Sequence, residues 1–406
     1  MTDLDTDLCV VGGGPAGMMA GLLFARAGVR TVVLEKHADF LRDFRGDTVH
    51  PSTLELFWEL GLLEGLLARP HNKVDALEAT VAGRRVKVSD FGHLPTHCRF
   101  IALMPQWEFL DFVAEAARAY PCFDLRMNAH ATGLLREGDR IVGVHADGDA
   151  GVSRVRARLT LAADGRGSIL RDAAGLPRST LGAPIDVFWF RIPKATQEVN
   201  ESAGVFETGH ILALIDRGDY WQCAYVFAKG SADAVRARGL DAFRAEVAAV
   251  APNLEAGLRE LKSWDQVKLL SVAVDRLERW HRPGFLAIGD AAHAMSPIGG
   301  IGINLAIADA VAAANALAGP MARGEDVDRR LAAVERRRRL PTRLTQAGQV
   351  LLQNRVIGRV LSGETKMTRP PLALRLLDRL PLLRRLPARV VGLGFRREHV
   401  RSPAAG

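Results

Sequence analysis

Residues 9–19 read CVVGGGPAGMM and contain Gly12, Gly14 and Gly17 in the spacing G-x-G-x-x-G. The apolar residues before Gly12 predict a short buried strand, and Pro15 predicts the first turn of a helix. In such a unit the first glycine permits a tight turn, the second leaves room for a pyrophosphate, and the third lets the helix lie close to the strand. The helix start offers free N–H groups to the phosphates. The stretch therefore predicts a dinucleotide site; the alternative is a glycine-rich turn that only connects two elements.

A second apolar run follows the helix and ends in an acid. Residues 30–34, RTVVL, predict a strand directly before Glu35 and Lys36. Glu35 lies 18 residues after Gly17, close to the spacing of about 20 at which a carboxylate binds a ribose hydroxyl. Strand, glycine turn, helix, strand and acid together predict a Rossmann-type α/β unit with a parallel sheet.

The composition is that of an ordinary soluble protein. The chain has 406 residues, of which 48% are hydrophobic and 25% charged, and this length predicts two domains. No window holds about 18 uninterrupted apolar residues, so no membrane span is expected. The N-terminus lacks a basic segment followed by an apolar one, which argues against a signal peptide and favours a cytoplasmic location. The four cysteines form no C-x-x-C pair, so neither a redox pair nor a metal site is predicted.

The net charge of +8 is unevenly distributed. From residue 321 onward the chain has 20 Arg or Lys and 7 Asp or Glu, whereas residues 1–320 carry a net charge of −5. The run 336–339, RRRR, predicts a solvated helix face, and residues 370–386 alternate leucine with arginine at roughly helical spacing. This basic segment is expected either to pack on the body or to lie on an anionic membrane surface. Nucleic-acid binding is not expected, because interleaved aromatic residues are absent.

Two further turns follow apolar strands. Asp164-Gly165 comes after residues 157–163 and before a short predicted helix, where a helix-capping aspartate is the alternative reading. Gly289-Asp290 also ends an apolar run, and a glycine-rich loop from Pro297 then opens an alanine-rich helix. A carboxylate at Asp290 can accept hydrogen bonds from sugar-type hydroxyls, and the helix start attracts an anion.

In this order, the three motifs resemble those of the class A flavin monooxygenases, the para-hydroxybenzoate hydroxylase-like family. The resemblance covers roughly residues 7–345. It implies FAD as cofactor, NAD(P)H as a transient co-substrate, and O₂ and an aromatic or lipophilic small molecule as substrates. It further implies that a flavin C4a-hydroperoxide hydroxylates or epoxidises that molecule. The resemblance does not identify the substrate.

The resemblance also implies which residues bind FAD. The pyrophosphate is expected on the first glycine turn and the adenosine ribose on the first acid. The implied contacts are Gly12, Gly14, Pro15, Ala16 and Gly17 for the pyrophosphate, Glu35 and Lys36 for the ribose side, Arg45 and Gln106 for the flavin and its chain, Asp164 and Gly165 for the FAD and NAD(P)H region, Gly289 and Asp290 for the ribityl or pyrophosphate part, and Pro297, Gly300, Gly302, Ile303 and Asn304 for the isoalloxazine. Relatives often have Gln where this chain has Ile301, so backbone groups are expected to make the contacts there.

The strand pattern predicts a domain inserted into the dinucleotide-binding unit. The predicted fold is an α/β, Rossmann-type FAD-binding domain interrupted by an antiparallel-sheet substrate domain, with a helical C-terminal segment. The predicted boundaries are 1–73, 99–180 and 268–345 for the FAD-binding domain, 74–98 and 181–267 for the substrate domain, and 346–406 for the basic C-terminal segment.

The substrate is expected between the flavin and the sheet of residues 185–227. Alternate residues on a strand share one face, and each selected residue has a core role as its alternative. The pocket candidates are Phe188, Phe190, Leu212, Leu214, Trp221, Cys223 and Tyr225. No side-chain base is assigned. His50 and Tyr225 are weak catalytic candidates, with a capping or surface role as the alternative for His50, and His293 is expected to be structural.

Other flavoprotein classes fit the sequence less well. A glutathione-reductase-like enzyme needs a second nucleotide fingerprint and a redox cysteine pair, and a flavin-dependent halogenase needs Trp-x-Trp-x-Ile-Pro; neither pattern occurs. The alternative that stays open is an FAD-dependent oxidoreductase without oxygen insertion, for example an isoprenoid-type reductase.

Overall fold

The structure is a computed structural model, and it describes residues 2–41, 48–148, 152–194, 203–363 and 368–405. Arg45, one of the expected flavin contacts, lies outside the described residues. The chain forms an α/β fold with two large sheets and a helical C-terminal part. The predicted fold class is therefore confirmed.

Most of the strands lie in the first two thirds of the chain. They are β1 Thr2–Val11, β2 Thr31–Leu34, β3 Thr48–Val49, β4 Asn72–Val74, β5 Ala76–Val81, β6 Arg84–Asp90, β7 Ile101–Leu103, β8 Phe123–Arg126, β9 Ala129–Glu137, β10 Arg140–Gly148, β11 Val152–Ala162, β12 Arg178–Thr180, β13 Ile185–Pro193, β14 Ala203–Glu207, β15 His210–Asp216, β16 Tyr220–Ala228, β17 Lys268–Ser271, β18 Asp275–Leu277, β19 His281–Arg282, β20 Phe285–Ala287 and β21 His293–Ala294.

Helices cover the sheets and form the C-terminal part. They are α1 Pro15–Arg26, α2 Pro51–Glu59, α3 Leu63–Leu67, α4 Gln106–Arg118, α5 Ile169–Ala173, α6 Ala232–Ala237, α7 Leu240–Val250, α8 Glu255–Leu258, α9 Ile301–Ala322, α10 Asp328–Leu352, α11 Gly358–Ser362, α12 Leu372–Arg379 and α13 Arg385–Leu393. A π-helical turn, Gln353–Ile357, joins α10 to α11.

The first sheet carries the glycine motif. Within the described residues its main strand order is β19-β20-β11-β1-β2-β8, with the β9–β10 hairpin attached to β11. Strands β20, β11, β1, β2 and β8 run parallel. Their continuous apolar runs are explained by burial on both faces, as in other parallel sheets. Helix α1 packs on this sheet and contacts both α4 and α9.

Helix α9 belongs to the core of this domain. By length and hydropathy the stretch Ile298–Ala322 could cross a membrane, but 72% of its apolar window is buried inside the protein. Its alanines and leucines pack against α1 and α10. The apolar character of α9 therefore reflects packing on all sides.

The second sheet is the inserted one. Among the described residues its order is β17-β13-β16-β15-β14-β5-β6, and every pair except β14–β5 is antiparallel. The strands predicted within 74–98 and 185–227 are therefore joined in one sheet. Strand β17 belongs here because it pairs with β13, so the inserted domain extends past residue 267 to Ser271.

The chain end returns to the first domain. The Ala405 N–H donates to the Arg26 carbonyl at 2.7 Å, and the Arg26 guanidinium donates to the Ser402 carbonyl at 3.0 Å. Asn315 on α9 donates to the His399 carbonyl at 2.8 Å. Residues 399–405 therefore contact the body, whereas α12 and α13 keep an exposed side.

Candidate functional site

The first glycine turn lies directly against the Asp164-Gly165 turn. A Cβ on Gly12 would lie 2.4 Å from the Ala163 carbonyl oxygen, and one on Gly17 would lie 1.8 Å from the Gly12 carbonyl oxygen. Gly12 also has φ +105°, a conformation that other residues rarely adopt. Both glycines are therefore required by close backbone approach, as the sequence predicts.

Gly14 differs from its neighbours because it faces open space. In the described part of the chain, no other heavy atom lies within 4 Å of the position of its Cβ. It is the residue before α1, and the first turn of α1 carries neither an acid nor a side-chain cap. The N–H groups of Ala16 and Gly17 in the first turn and the partial positive charge of the helix start therefore face an open cradle. That cradle fits a pyrophosphate.

Glu35 is fixed beside the same turn. One of its carboxylate oxygens accepts from the Gly13 N–H at 2.8 Å and the other from the His37 N–H at 3.0 Å. Leu34, the residue before Glu35, lines a small cleft together with Asn128 and Gly148. This geometry fits the adenosine end of a dinucleotide. Lys36 is exposed, and its expected contact with the ribose side stays a prediction.

The third motif completes the same crevice. A Cβ on Gly289 would lie 3.1 Å from the Cβ of Ala16 in the first turn of α1. Asp290 accepts from Arg166 Nε at 3.0 Å, so the second and third motifs are joined by an ion pair that the sequence reading missed. Gly165 has open space around its Cβ position among the described residues. The three motifs therefore converge around one elongated site.

Asp164 carries an unsatisfied group at this site. Its Oδ1 atom is buried and has no hydrogen-bond partner within the described ranges. Burial raises the pKa of Asp164, although the Ser168 hydroxyl and nearby backbone N–H groups act in the opposite direction. A buried acceptor without a partner is rare in folded proteins, and a cofactor hydroxyl would satisfy it. With the Gly14 cradle, this atom makes the site fit FAD.

The loop before α9 has a geometry that only glycine accepts. Gly299 and Gly300 have φ +76° and +61°. A Cβ on Gly300 would lie 1.9 Å from Thr48 Oγ1, which donates to the Gly300 carbonyl at 2.8 Å. The first turn of α9 has no acid and no side-chain cap. The backbone N–H groups of Gly302 and Ile303 therefore present a positive helix end beside Pro297. We call residues 297–300 the flavin-facing loop after their expected role, and their contact with the flavin stays a prediction.

The side chain of Asn304 joins the start of α2 to the Gly300 loop. Its Oδ1 accepts from the His50 N–H and the Thr53 hydroxyl, both at 2.8 Å. Its Nδ2 donates to the carbonyls of Thr48 at 2.9 Å and Gly300 at 3.1 Å. These four bonds use its amide, and its expected contact with the isoalloxazine stays a prediction.

The three weakly assigned residues are buried in the protein. His50 donates from Nδ1 to the Val391 carbonyl at 2.8 Å, and burial lowers its pKa to about 4. It therefore does not lie on the surface, and its side chain does not cap α2. The Tyr225 hydroxyl donates to Glu246 at 2.9 Å. The pKa of Tyr225 is raised, mainly by burial and next by the charge of Glu246. His293 is structural, as expected, because its Nε2 lies 2.5 Å from buried Asp309. Gln106 begins α4 and is half-buried; its flavin contact stays a prediction.

The seven pocket candidates lie on the sheet face that α7 and α8 cover, and their role in a substrate pocket stays a prediction. They form a closed apolar cluster with Phe243 and Val247 of α7 and with Leu258 of α8. None is more than 6% exposed: Phe188, Phe190, Leu212, Leu214, Trp221, Cys223 and Tyr225. Both faces of these strands carry apolar residues, so alternation alone could not tell which face meets the helices.

The opposite face meets the flavin-facing loop. Ile298 of that loop packs in a cluster that includes Val187, Trp189, Ala213 and Ala224. Trp189 is half-buried, and its indole N–H is buried without a hydrogen-bond partner in the part of the chain that the structure describes. Trp189 is therefore a functional candidate that the sequence reading missed. The sequence could have indicated it, because Trp189 directly follows Phe188 and so lies on the opposite face of the same strand.

A buried ion-pair network holds the Gly289 turn in place. Asp309 is 0% exposed and accepts from Arg338 Nε at 2.8 Å, from His293 and from the Gly289 N–H at 3.1 Å. Arg338 also donates to Glu398 at 3.2 Å. The prediction of a solvated face is wrong at this position, because Arg338 is only 1% exposed. Helical spacing turns one of four consecutive arginines inward, to where Asp309 lies.

Known proteins share this sequence and fold. A family model described as FAD binding domain matches residues 5–347. The chain is 33% identical to the 6-methylpretetramide 4-monooxygenase of Streptomyces rimosus, over 95% of this chain and 92% of that protein. Two solved structures share the fold: the anhydrotetracycline hydroxylase of Streptomyces rimosus (TM-score 0.72, 24% identity, 96% of this chain and 76% of that one) and the p-nitrophenol 4-monooxygenase of Pseudomonas putida (TM-score 0.72, 22% identity, 94% of each chain).

Proposed function

This chain belongs to the class A FAD-dependent monooxygenases, and from that premise we propose that its substrate is a planar, fused-ring aromatic compound. The enzyme is an FAD-dependent monooxygenase that uses NAD(P)H and O₂ to hydroxylate an aromatic small molecule. The proposal adds the size and shape of that molecule. Its support is the row of small side chains on the sheet face that meets the flavin-facing loop.

That row crosses five neighbouring strands. Trp189 on β13 is paired with Ala224 on β16, Ala224 with Ala213 on β15, Ala213 with Gly204 on β14, and Gly204 with Ala79 on β5. From Trp189 to Gly204, three strand spacings of about 4.8 Å give a length of about 14 Å. The methyl groups of Ala224 and Ala213 form a flat floor beside Trp189, and the Phe206 ring lies 3.0 Å from the position of a Cβ on Gly204. This flat apolar surface suits rings fused in a plane.

The row is partly open. Trp189, Ala213 and Gly204 are half-buried, whereas Ala224 and Ala79 are buried. Ala224, Trp189 and Ala213 share a cluster with Ile298, with Ile357 of the π-helical turn, and with Val360 and Leu361 of α11. Both the Ile298 loop and α11 therefore pack on this sheet face.

Trp189 supplies a polar group at the end of this row. Its indole N–H has no partner among the described residues, and a substrate carbonyl or phenol oxygen would satisfy it. A buried Trp N–H normally finds an acceptor. The N–H therefore fixes the orientation of an otherwise apolar ring system.

When bound, FAD would supply the redox chemistry, in which NAD(P)H gives up a hydride, one oxygen atom of O₂ enters the substrate and the other leaves as water. The residues of this chain bind the cofactor and orient the substrate. The start of α9 at Gly302 and Ile303 stabilises negative charge on the cofactor. The sheet face and the Ile298 loop exclude water from the reacting atoms. The proposal gives no proton-transfer role to His50, whose Nδ1 donates to the Val391 carbonyl, or to Tyr225, which donates to Glu246.

We expect Ala224→Phe to reduce substrate-stimulated NAD(P)H oxidation at least tenfold without lowering the FAD content. The ring would fill the centre of the row, and displaced or tilted substrate reacts far more slowly. Steady-state oxidation with a fused-ring phenol, together with the flavin absorbance of the purified protein, measures both quantities. Ala228→Phe is the matched control, because Ala228 is exposed at the end of the same strand. Equal activity of Ala224→Phe and wild type would contradict the proposed site.

Labelled oxygen tests the proposed reaction and its substrate. We expect that ¹⁸O₂ places one labelled oxygen atom in a fused-ring phenol, measured by mass spectrometry of the product, with one NAD(P)H consumed per product. A single-ring phenol is the matched comparison and should be converted at least tenfold more slowly. Preference for the single ring would reject the substrate class. Oxidation of NAD(P)H with a changed substrate but no incorporated label would instead indicate a reductase.

A further inference from the structure

We propose that the exposed side of residues 369–396 is a binding surface for an anionic lipid membrane. We call this side the Leu/Arg face. It lies outside the FAD and substrate sites, and it is not explained by the monooxygenase activity.

The Leu/Arg face exposes an unusual amount of apolar surface. Leu372 is 66% exposed, Leu382 70% and Leu386 71%. Three more leucines of the same segment are exposed by more than 40%: Leu376, Leu380 and Leu383. Single exposed leucines are ordinary, but six within fifteen residues form a patch of the kind that marks an interaction site.

The helix α12 shows which side is free. Leu374 packs with Val86 and Val88 of β6, and Asp378 accepts from the Lys87 N–H at 3.0 Å. Leu372 and Leu376 are four residues apart and lie on the other side of the helix, where nothing in the described chain covers them. Both sides of α12 therefore carry leucine: one side packs on the sheet, and the other is exposed.

The charges on this segment favour an anionic partner. The exposed arginines are Arg369, Arg379, Arg385, Arg389 and Arg396. Residues 368–405 are all described, and neither of their two acids is exposed: Asp378 is held by β6, and Glu398 is buried between Arg337 and Arg338. The strand beneath adds Arg84 and Lys87, both exposed. Leucines among arginines match the interface of an anionic bilayer, because the arginines reach the headgroups while the leucines enter the acyl boundary.

A second copy of the chain fits this surface less well. A two-fold symmetric contact pairs a surface with itself, so it would bring the five exposed arginines against the same five arginines. The buried face would then hold like charges without acids to neutralise them. A lipid surface provides the missing negative charge.

Vesicle co-sedimentation of the full-length, FAD-loaded enzyme tests this proposal. The probes are vesicles of phosphatidylcholine with an equal amount of phosphatidylglycerol, and vesicles of phosphatidylcholine alone. We expect at least tenfold stronger partition onto the anionic vesicles at 0.1 M salt, and a marked decrease at about 0.5 M salt as the charges are screened. The variant Leu382→Ser/Leu386→Ser should lose at least tenfold in partition, and Arg385→Glu/Arg389→Glu should lose binding to the anionic vesicles.

The variant Leu181→Ser/Leu269→Ser is the matched control, because these two exposed leucines lie in other parts of the chain. It should bind vesicles as wild type does, and all variants should keep their flavin absorbance and thermal midpoint. Wild type that stays in the supernatant with anionic vesicles would overturn the proposal. So would equal partition of wild type and Leu382→Ser/Leu386→Ser. A dimer in light scattering that becomes a monomer in that variant would assign the face to a second copy instead.

Discussion

A Gly14→Asp variant should fold as wild type does and bind FAD at least 100-fold more weakly. The position of the new Cβ is open within the described chain, and the φ of Gly14 is −75°, so the free protein accepts the side chain without strain. The carboxylate would occupy the cradle at the start of α1 that fits the pyrophosphate. Two like charges about 4 Å apart repel by about 4 kcal/mol at the effective dielectric of a protein surface. This energy exceeds the roughly 2.8 kcal/mol that a 100-fold change requires.

Titration of the apoprotein with FAD, followed by fluorescence quenching, measures the affinity, and circular dichroism verifies the fold. Gly348→Asp is the matched control, since Gly348 is also open in the described structure and lies on α10. It should bind FAD as wild type does. Gly17→Ala should instead fail to fold, because its Cβ would lie 1.8 Å from the Gly12 carbonyl oxygen. FAD affinity of Gly14→Asp within threefold of wild type would reject the cradle as the pyrophosphate site.

The second large effect is expected from Asp309→Asn. Removing this carboxylate leaves Arg338 and His293 buried beside a neutral amide, although Glu398 still pairs with Arg338. Removing one partner of a buried ion pair typically lowers the free energy of unfolding by about 3–5 kcal/mol. The Gly289 N–H also loses a charged acceptor. We therefore expect a clear fall of the thermal unfolding midpoint and weaker retention of FAD.

The pH dependence of this variant gives an independent measurement. Burial alone would raise the pKa of Asp309, but His293 and Arg338 bring it below its usual value. A carboxyl whose pKa is lowered by folding contributes its full stability above its unfolded pKa of about 4, and that contribution is lost as the pH falls through the lower folded value. The stability difference between wild type and Asp309→Asn should therefore be constant near neutrality and narrow below about pH 4.

The control for both measurements is Glu325→Gln, an exposed acid that pairs with Arg323 and Arg330 at the surface. Its unfolding midpoint should not change measurably. If Asp309→Asn unfolded at the same temperature as wild type near neutral pH, the buried network would not stabilise the Gly289 turn as the structure indicates.

The FAD crevice was predictable because its chemistry is carried by backbone. Positions 12 and 17 require glycine because a side chain there would meet backbone atoms that are close in sequence or on the neighbouring strand. Such contacts impose a local spacing that the sequence shows directly. The same holds for the Gly289 turn and for the glycines before α9, where positive φ excludes other residues.

The roles of individual side chains were less predictable. Asn304 lies at the expected loop, but its amide bonds to Thr48, His50 and Thr53, which lie more than 250 residues away in sequence, as well as to nearby Gly300. Arg338 is one of four identical residues, and only the position of Asp309 on the neighbouring helix selects it for burial. Sequence spacing contains no information about which distant partner a long polar side chain will reach.

The sequence by itself determined the fold class, the cofactor crevice and the insertion of a second sheet, because strand, glycine turn and helix are set by short-range geometry. Only the tertiary structure decided which face of that sheet meets the flavin-facing loop. Phe188 and Trp189 are adjacent, and both faces of their strand are apolar. The helices α7 and α8 cover the face of Phe188, and this leaves Trp189 and the row of small residues beside Ile298. When both faces of a strand are apolar, its sequence does not show which face will pack on which part of the protein.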